Sequence, residues 1–131
     1  MKLFEYLDRR GIGVYTAWYR TLQKPQQAAL DAKLDVVRAG GNLPPNLFRG
    51  PVRYQGQHYA NTYKLTVNRG GALRPLVCKG PIDCDNEWTI LVPVIEVGNR
   101  YPPGVFQDAE DRRLEIIADP SRRRELRDDD D

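Results

Sequence analysis

The chain is poor in the residues that build metal centres and disulfide frameworks. Among 131 residues there are two cysteines, one histidine and one methionine. Two cysteines and one histidine do not close a four-ligand zinc site. Cys78 and Cys84 read as two reduced thiols, one on a strand and one in a loop, although their spacing also permits a disulfide. Long apolar runs are missing as well, so no membrane span is expected. The opening MKLFEYLDRR carries acids and lacks an apolar stretch, so no secretory leader is read there. These absences point to a cytoplasmic chain of one domain, large enough to fold on an apolar core without a disulfide or metal.

Excess charge of one sign is also lacking: 20 basic residues face 18 acidic ones, for a net charge of +2. The acids are unevenly placed, however. Setting aside the four aspartates of the terminal DDDD leaves 20 basic against 14 acidic residues, a balance of +6. A basic body with an acidic tip suits a surface that faces a polyanion.

Residues 1–7 read as a short strand or the start of a helix. GVYTAWYRTLQ, 13–23, places Val14, Ala17, Trp18 and Leu22 at helical spacing. PQQAALDAKLDVVRAGG repeats the pattern with Ala29, Leu30, Leu34 and Val37; Pro25 suits its first turn and Gly40–Gly41 its end. A connector rich in Pro, Gly and Asn runs over 42–61. Three strand candidates follow, at 60–68, 72–79 and 87–97. The last, EWTILVPVIEV, reads as a buried central strand. Pro75 and Pro93 remove ladder donors, so a bulge or gap in pairing is expected at each. A final helix starts near Pro103, with Val105, Phe106, Ala109, Leu114 and Ile117 as its apolar stripe. The expectation is an α+β fold with an N-terminal helical hairpin packed on a small antiparallel sheet, a C-terminal helix, one domain over 1–120, and a charged, disordered tail over 121–131.

The stretch YKLTVNRGGALRPLV, 63–77, carries the most specific information. A two-residue loop at Gly70–Gly71 would turn Arg74 into the core. A three-residue loop, Arg69-Gly70-Gly71, sets Val67 opposite Leu73, Leu65 opposite Pro75 and Tyr63 opposite Val77, so one face is wholly apolar. Lys64, Thr66, Asn68 and Arg74 then share the other face. A solvated polar face is the plainer reading of that pattern. An anion site, most naturally for phosphate, is the functional one.

Three segments resemble the RelE/ParE toxin superfamily, and the RelE-like toxins of type II toxin–antitoxin systems in particular. They are LFRG at 47–50, the hairpin itself, and VIEVGNRYPPGVFQDAEDRRLEII. The resemblance implies a metal-independent endoribonuclease of messenger RNA, with no cofactor, commonly acting in the ribosomal A site. It also implies a cognate antitoxin as partner. Position by position, it assigns catalytic roles to Lys64, Arg74 and Arg100. Thr66 stands where the family has a second lysine, and Phe106 where it has a tyrosine. PVRYQGQHY is an insertion before the hairpin.

Such cleavage uses the 2′-OH against the adjacent phosphate, so it needs a base, an acid and cations for the developing charge. Thr66, Phe106, Arg69, Arg53, Tyr54 and His58 are the candidate RNA contacts. Phe106 would stack on a base, Arg53 would hold phosphate, and His58 would stand in as acid or base beside the hairpin. Two other readings stay open: a catalytically inactive or ParE-like relative acting through protein contacts, and a nucleic-acid-binding module without chemistry.

Overall fold

The computed structural model describes residues 1–126. The chain begins with strand β1 (Lys2–Tyr6), followed by helices α1 (Val14–Tyr19) and α2 (Lys24–Ala39). Eight short strands precede the next break: β2 (Phe48–Arg49), β3 (Val52–Tyr54), β4 (Gln57–Tyr59), β5 (Tyr63–Leu65), β6 (Val67–Asn68), β7 (Ala72–Leu73), β8 (Leu76–Lys79) and β9 (Glu87–Val92). Strand β10 (Ile95–Glu96), helix α3 (Val105–Ala118), a single 3₁₀ turn (Pro120–Arg122) and strand β11 (Arg123–Glu125) complete it. Six strands form one sheet in the order β11-β1-β9-β8-β5-β2, three form a second in the order β10-β7-β6, and β3 pairs with β4 alone.

All six residues of β9 are buried, as expected of EWTILV. The strand lies between β1, which runs parallel to it, and β8, which runs antiparallel. Its neighbours cover both faces. On one side Leu3, Ile90, Trp88 and Leu65 pack with Tyr15 of α1 and with Leu30, Leu34 and Val37 of α2. On the other, Leu91, Leu76, Cys78 and Tyr6 pack with Phe106, Ala109 and Ile116 of α3.

The expected architecture is therefore corrected. The N-terminus is a strand rather than a helical hairpin, the sheet is large and mixed rather than small and antiparallel, and helices cover both faces. The reason is physical: the β1–β9 pairing joins distant parts of the chain, and no local periodicity records which distant strand KLFEY will join. The first helix is also shorter than its periodicity suggested. The α2 reading fares better. Pro25 lies in its first turn, Gln23 and Gln26 close a capping box, and Gly40 ends it at φ 72°. In α3 the inward stripe runs through Ile116, while Leu114 and Ile117 face outward.

Pro75 and Pro93 act as anticipated. Between β7 and β8, and between β9 and β10, the ladder is interrupted at these prolines. Strands β6, β7 and β10 continue the lines of β5, β8 and β9 as a separate small sheet. The gap is bridged by Leu65 N–H donating to Pro75 O (2.9 Å) and Arg74 N–H donating to Val94 O (2.9 Å).

The segment SRRREL, read as part of a disordered tail, is ordered through Leu126 and pairs with the outer edge of β1. Each arginine meets a carboxylate. Arg122 approaches Glu115 at 3.6 Å, Arg123 pairs with Glu87, and Arg124 Nε donates to Glu5 Oε2 at 3.0 Å. Arg123 also lies over the Phe4 ring, 3.7 Å from its centroid. Residues 127–131, including the terminal aspartates, lie outside the described residues. Glu5 is fully buried and also accepts hydrogen bonds from Thr16 N–H (2.9 Å) and Thr16 Oγ1 (2.6 Å). A Cβ at Gly13 would overlap that carboxyl group, so glycine is required there by close approach.

Removing one partner of a buried ion pair is costlier than its formation is favourable. Arg124 is 45% exposed at its side chain, so water moderates its loss. Arg124→Ala is expected to destabilise the fold by about 1–3 kcal/mol, read as a lowered urea midpoint. Gly13→Ala, which displaces the same carboxylate, is expected to do at least as much. Equal midpoints for parent and Arg124→Ala would show that Glu5 does not depend on the C-terminal strand.

Candidate anion-binding site

The hairpin register places the site. Val67 pairs with Leu73, Asn68 with Ala72, Tyr63 with Val77 and Lys64 with Leu76. The three-residue loop Arg69-Gly70-Gly71 closes on Arg69 N–H donating to Gly71 O at 3.0 Å. Both glycines have positive φ, 59° and 130°, which an alternating apolar run could not supply at that point. Leu65, Val67, Leu73 and Val77 all enter the core beneath α1 and α2. Lys64 and Arg74 therefore share the opposite face, as the pattern of apolar residues anticipated.

A hydroxyl and a carboxylate lie between these two cations. Lys64 Nζ donates to Tyr101 Oη at 3.2 Å, and Tyr101 Oη donates to Glu96 Oε1 at 2.6 Å. The same carboxylate oxygen lies 3.7 Å from Arg74 Nε. The side chains of Arg74 and Glu96 are only 12% and 15% exposed, so their attraction is less screened than at an open surface. Burial pushes the Tyr101 phenol well above its ordinary range, and the Glu96 hydrogen bond pushes it further. The ring is thus a neutral donor at neutral pH.

Tyr101 is held by an aromatic cluster. Its backbone N–H donates to Tyr54 Oη at 3.1 Å, and its ring meets Tyr54 edge-on with centroids 5.4 Å apart. Phe106 packs beneath, 5.0 Å from Tyr101 and 5.1 Å from Tyr59. The segment PVRYQGQHY forms the β3–β4 hairpin that brings in Tyr54 and Tyr59. Phe106 is only 3% exposed, so the stacking role expected for it does not hold: no face is open to a base. The core has claimed it because α3 starts at Val105 and points its first turn into the sheet.

Arg74 is more constrained than a free phosphate-binding fork. Its Nη1 donates to Leu73 O (2.9 Å) and Val67 O (3.2 Å), and its Nη2 donates to Asn68 Oδ1 (2.7 Å). It ties the small sheet together and orients Glu96. Arg100 has the opposite character. Val97 and Arg100 exchange two 3.0 Å backbone hydrogen bonds across Gly98 (φ 56°) and Asn99 (φ 61°), the two-residue turn with both φ positive. Arg100 is exposed, next in sequence to Tyr101, and its guanidinium makes no hydrogen bond or ion pair among the described residues.

The remaining candidates are scattered. Thr66 Oγ1 donates to Asn46 O at 3.3 Å. Arg69 is exposed at the loop tip. Arg53 and His58 are cross-strand partners on the exposed face of the β3–β4 hairpin, while Val52, Tyr54 and Tyr59 face the core. Neither makes a side-chain hydrogen bond or ion pair among the described residues.

Sequence reasoning missed Glu96, Tyr101 and Arg49. Arg49, quoted above within LFRG, pairs with Lys64 across β2 and β5 and is exposed. Glu96 was visible as the acid that ends an apolar run, and Tyr101 as the aromatic between Arg100 and two prolines.

Cys78 is buried, with its thiol pushed up to about 12 by burial, and Cys84 is exposed; both are free. Among the described residues no group of three His, Cys, Asp or Glu side chains is placed to hold a metal ion, and no helix is long and apolar enough to cross a membrane. Comparison with family models, curated proteins and solved structures gave no match for this chain.

A phenol with a raised pKa stabilises the fold below its unfolded value, ordinarily 10.0, and that contribution is lost as pH rises above it. The parent should therefore lose stability steeply above about pH 10. Tyr101→Phe should cost about 1 kcal/mol at pH 7 and show a shallower alkaline loss. Parallel urea-midpoint curves from pH 8 to 11 for the two proteins would separate Tyr101 from that loss.

Proposed function

We propose that the chain is a toxin-like, metal-independent endoribonuclease that cuts messenger RNA in the cytoplasm and is held in check by a cognate antitoxin. The observation that carries this reading is the cluster Lys64–Tyr101–Glu96–Arg74, joined by two hydrogen bonds and one ion pair, with Arg49 and Arg100 exposed beside its members in the sheet and in the chain. The motif resemblance at 47–50, 63–77 and 94–117 supports it. The helical-hairpin architecture attached to that resemblance is not part of the proposal.

In this reading the bridging phosphate binds beside Lys64, with Arg100 offsetting its charge. Glu96, the carboxylate of the cluster, takes the 2′-OH proton as the 2′-oxygen bonds to phosphorus. The bond from phosphorus to the 5′-oxygen breaks, and the Lys64 ammonium gives that oxygen its proton. The products are a 2′,3′-cyclic phosphate and a 5′-hydroxyl. Tyr101 and Arg74 add a hydroxyl donor and positive charge beside the phosphate, and Glu96, moved off them, acts as base from the adjoining strand end.

A specific observation favours a second reading, binding without cleavage. Arg74 is engaged by three backbone and side-chain acceptors besides Glu96, Thr66 supplies no charge, and Phe106 is enclosed. The two readings separate on purified protein with short RNA, with and without ribosomes, in a metal chelator. Cleavage is expected to persist in chelator and to fall by about 100-fold in Lys64→Ala, with the fold intact by circular dichroism. A folded parent that binds RNA but cuts nothing, even on ribosomes, would leave the binding reading. A folded Lys64→Ala as active as the parent would remove the cluster from the chemistry.

A further inference from the structure

We infer that Glu96 is the site's own resident anion, a carboxylate that an RNA phosphate must displace to bind. The inference rests on the anion-site reading above and concerns how that site is regulated. One oxygen of Glu96 receives the Tyr101 hydroxyl at 2.6 Å and lies 3.7 Å from Arg74 Nε. Lys64 Nζ reaches the same hydroxyl from the other side, at 3.2 Å. A phosphate oxygen set between Tyr101 and Arg74, within reach of Lys64, would need the place the carboxylate holds, because the Tyr101 hydroxyl donates to that carboxylate and Arg74 Nε lies 3.7 Å from it.

The surroundings make the competition sharp. Arg74 cannot turn outward to meet a ligand, since Val67 O, Leu73 O and Asn68 Oδ1 fix its fork. Tyr101 cannot turn either, because Tyr54 and Phe106 enclose its ring. Glu96 is the movable member. It sits on a two-residue strand between Ile95 and Val97, which are 39% and 72% exposed, and leads into the Val97–Arg100 turn. Two anions cannot share these donors, since like charges brought together at an interface cost several-fold to many-fold in affinity. Displaced, Glu96 keeps the exposed Arg100 close to it in the chain. Bound RNA and bound Glu96 are thus alternative states, and the resident carboxylate keeps affinity low and release fast.

The test uses the full chain and two probes: an oligoribonucleotide with 2′-O-methyl groups, which cannot be cut, and inorganic phosphate. Three proteins are compared at one ionic strength: parent, Glu96→Gln and Glu125→Gln. Glu96→Gln keeps the size of the side chain and an acceptor for Tyr101. Glu125 is exposed on β11, so Glu125→Gln changes net charge equally, away from the cluster. Glu96→Gln is expected to tighten oligonucleotide binding by about tenfold or more, and Glu125→Gln by less than about twofold. Phosphate should follow the same order. Equal tightening in both variants would overturn the inference, because the effect would be one of net charge. A parent that binds while a folded Glu96→Gln binds no tighter would overturn it and leave the anion site standing. No binding by either Glu96 form would overturn the anion site as well.

Discussion

Burial of strand β9 on both faces is the constraint on which the rest of the structure depends. A strand with water on neither side needs neighbours on both edges and cover on both faces. Strands β1 and β8 supply the edges; α1 with α2, and α3, supply the cover. The same burial creates a debt of polar groups. Glu87 and Thr89 lie within β9, and Glu5 lies beside them on β1. Thr89 Oγ1 donates to Gly80 O, and the two carboxylates are answered by Arg123 and Arg124. The C-terminal strand is therefore the counterpart of buried charge in the sheet, and its composition follows from that position.

The end of β9 makes the site. Pro93 stops the ladder and Pro75 stops it on the neighbouring line, so the sheet divides at one level across adjacent strands. Groups left without regular partners collect at that division. Arg74 turns its guanidinium onto nearby carbonyls and Asn68, and Glu96 follows just after the break. The turn at 97–100 then returns the chain so that Tyr101 faces Lys64 and Glu96. The cluster of unlike charges is a result of two prolines placed in register, and the β3–β4 hairpin fixes it from outside through Tyr54.

Much of this was legible in local pattern. The three-residue loop at Arg69-Gly70-Gly71 followed from the requirement that one hairpin face be apolar, and the shared face of Lys64 and Arg74 came with it. The interruptions at Pro75 and Pro93 and the limits of α2 followed from proline and glycine chemistry. Pairings between distant segments were not legible. KLFEY suits a short strand or the start of a helix equally, and nothing in it names β9 as a parallel neighbour. SRRREL has the composition of a solvated tail; only the buried Glu5 and Glu87, far away in sequence, make it a strand. Phe106 has the type and place of a stacking residue, but its exposure depends on where α3 packs. Glu96 and Tyr101 were passed over because their roles exist only once the 97–100 turn folds back.

The central claim is that an RNA phosphate binds beside Lys64, where Tyr101 and Arg74 now face the Glu96 carboxylate. A crystal structure of the chain with a 2′-O-methyl oligoribonucleotide tests it most directly. The account predicts a phosphate oxygen within hydrogen-bonding distance of Lys64 Nζ and Tyr101 Oη, about 2.7–3.2 Å, with the Glu96 side chain turned away from Tyr101. An oligonucleotide bound on another face, with the Tyr101–Glu96 hydrogen bond unchanged, would contradict it.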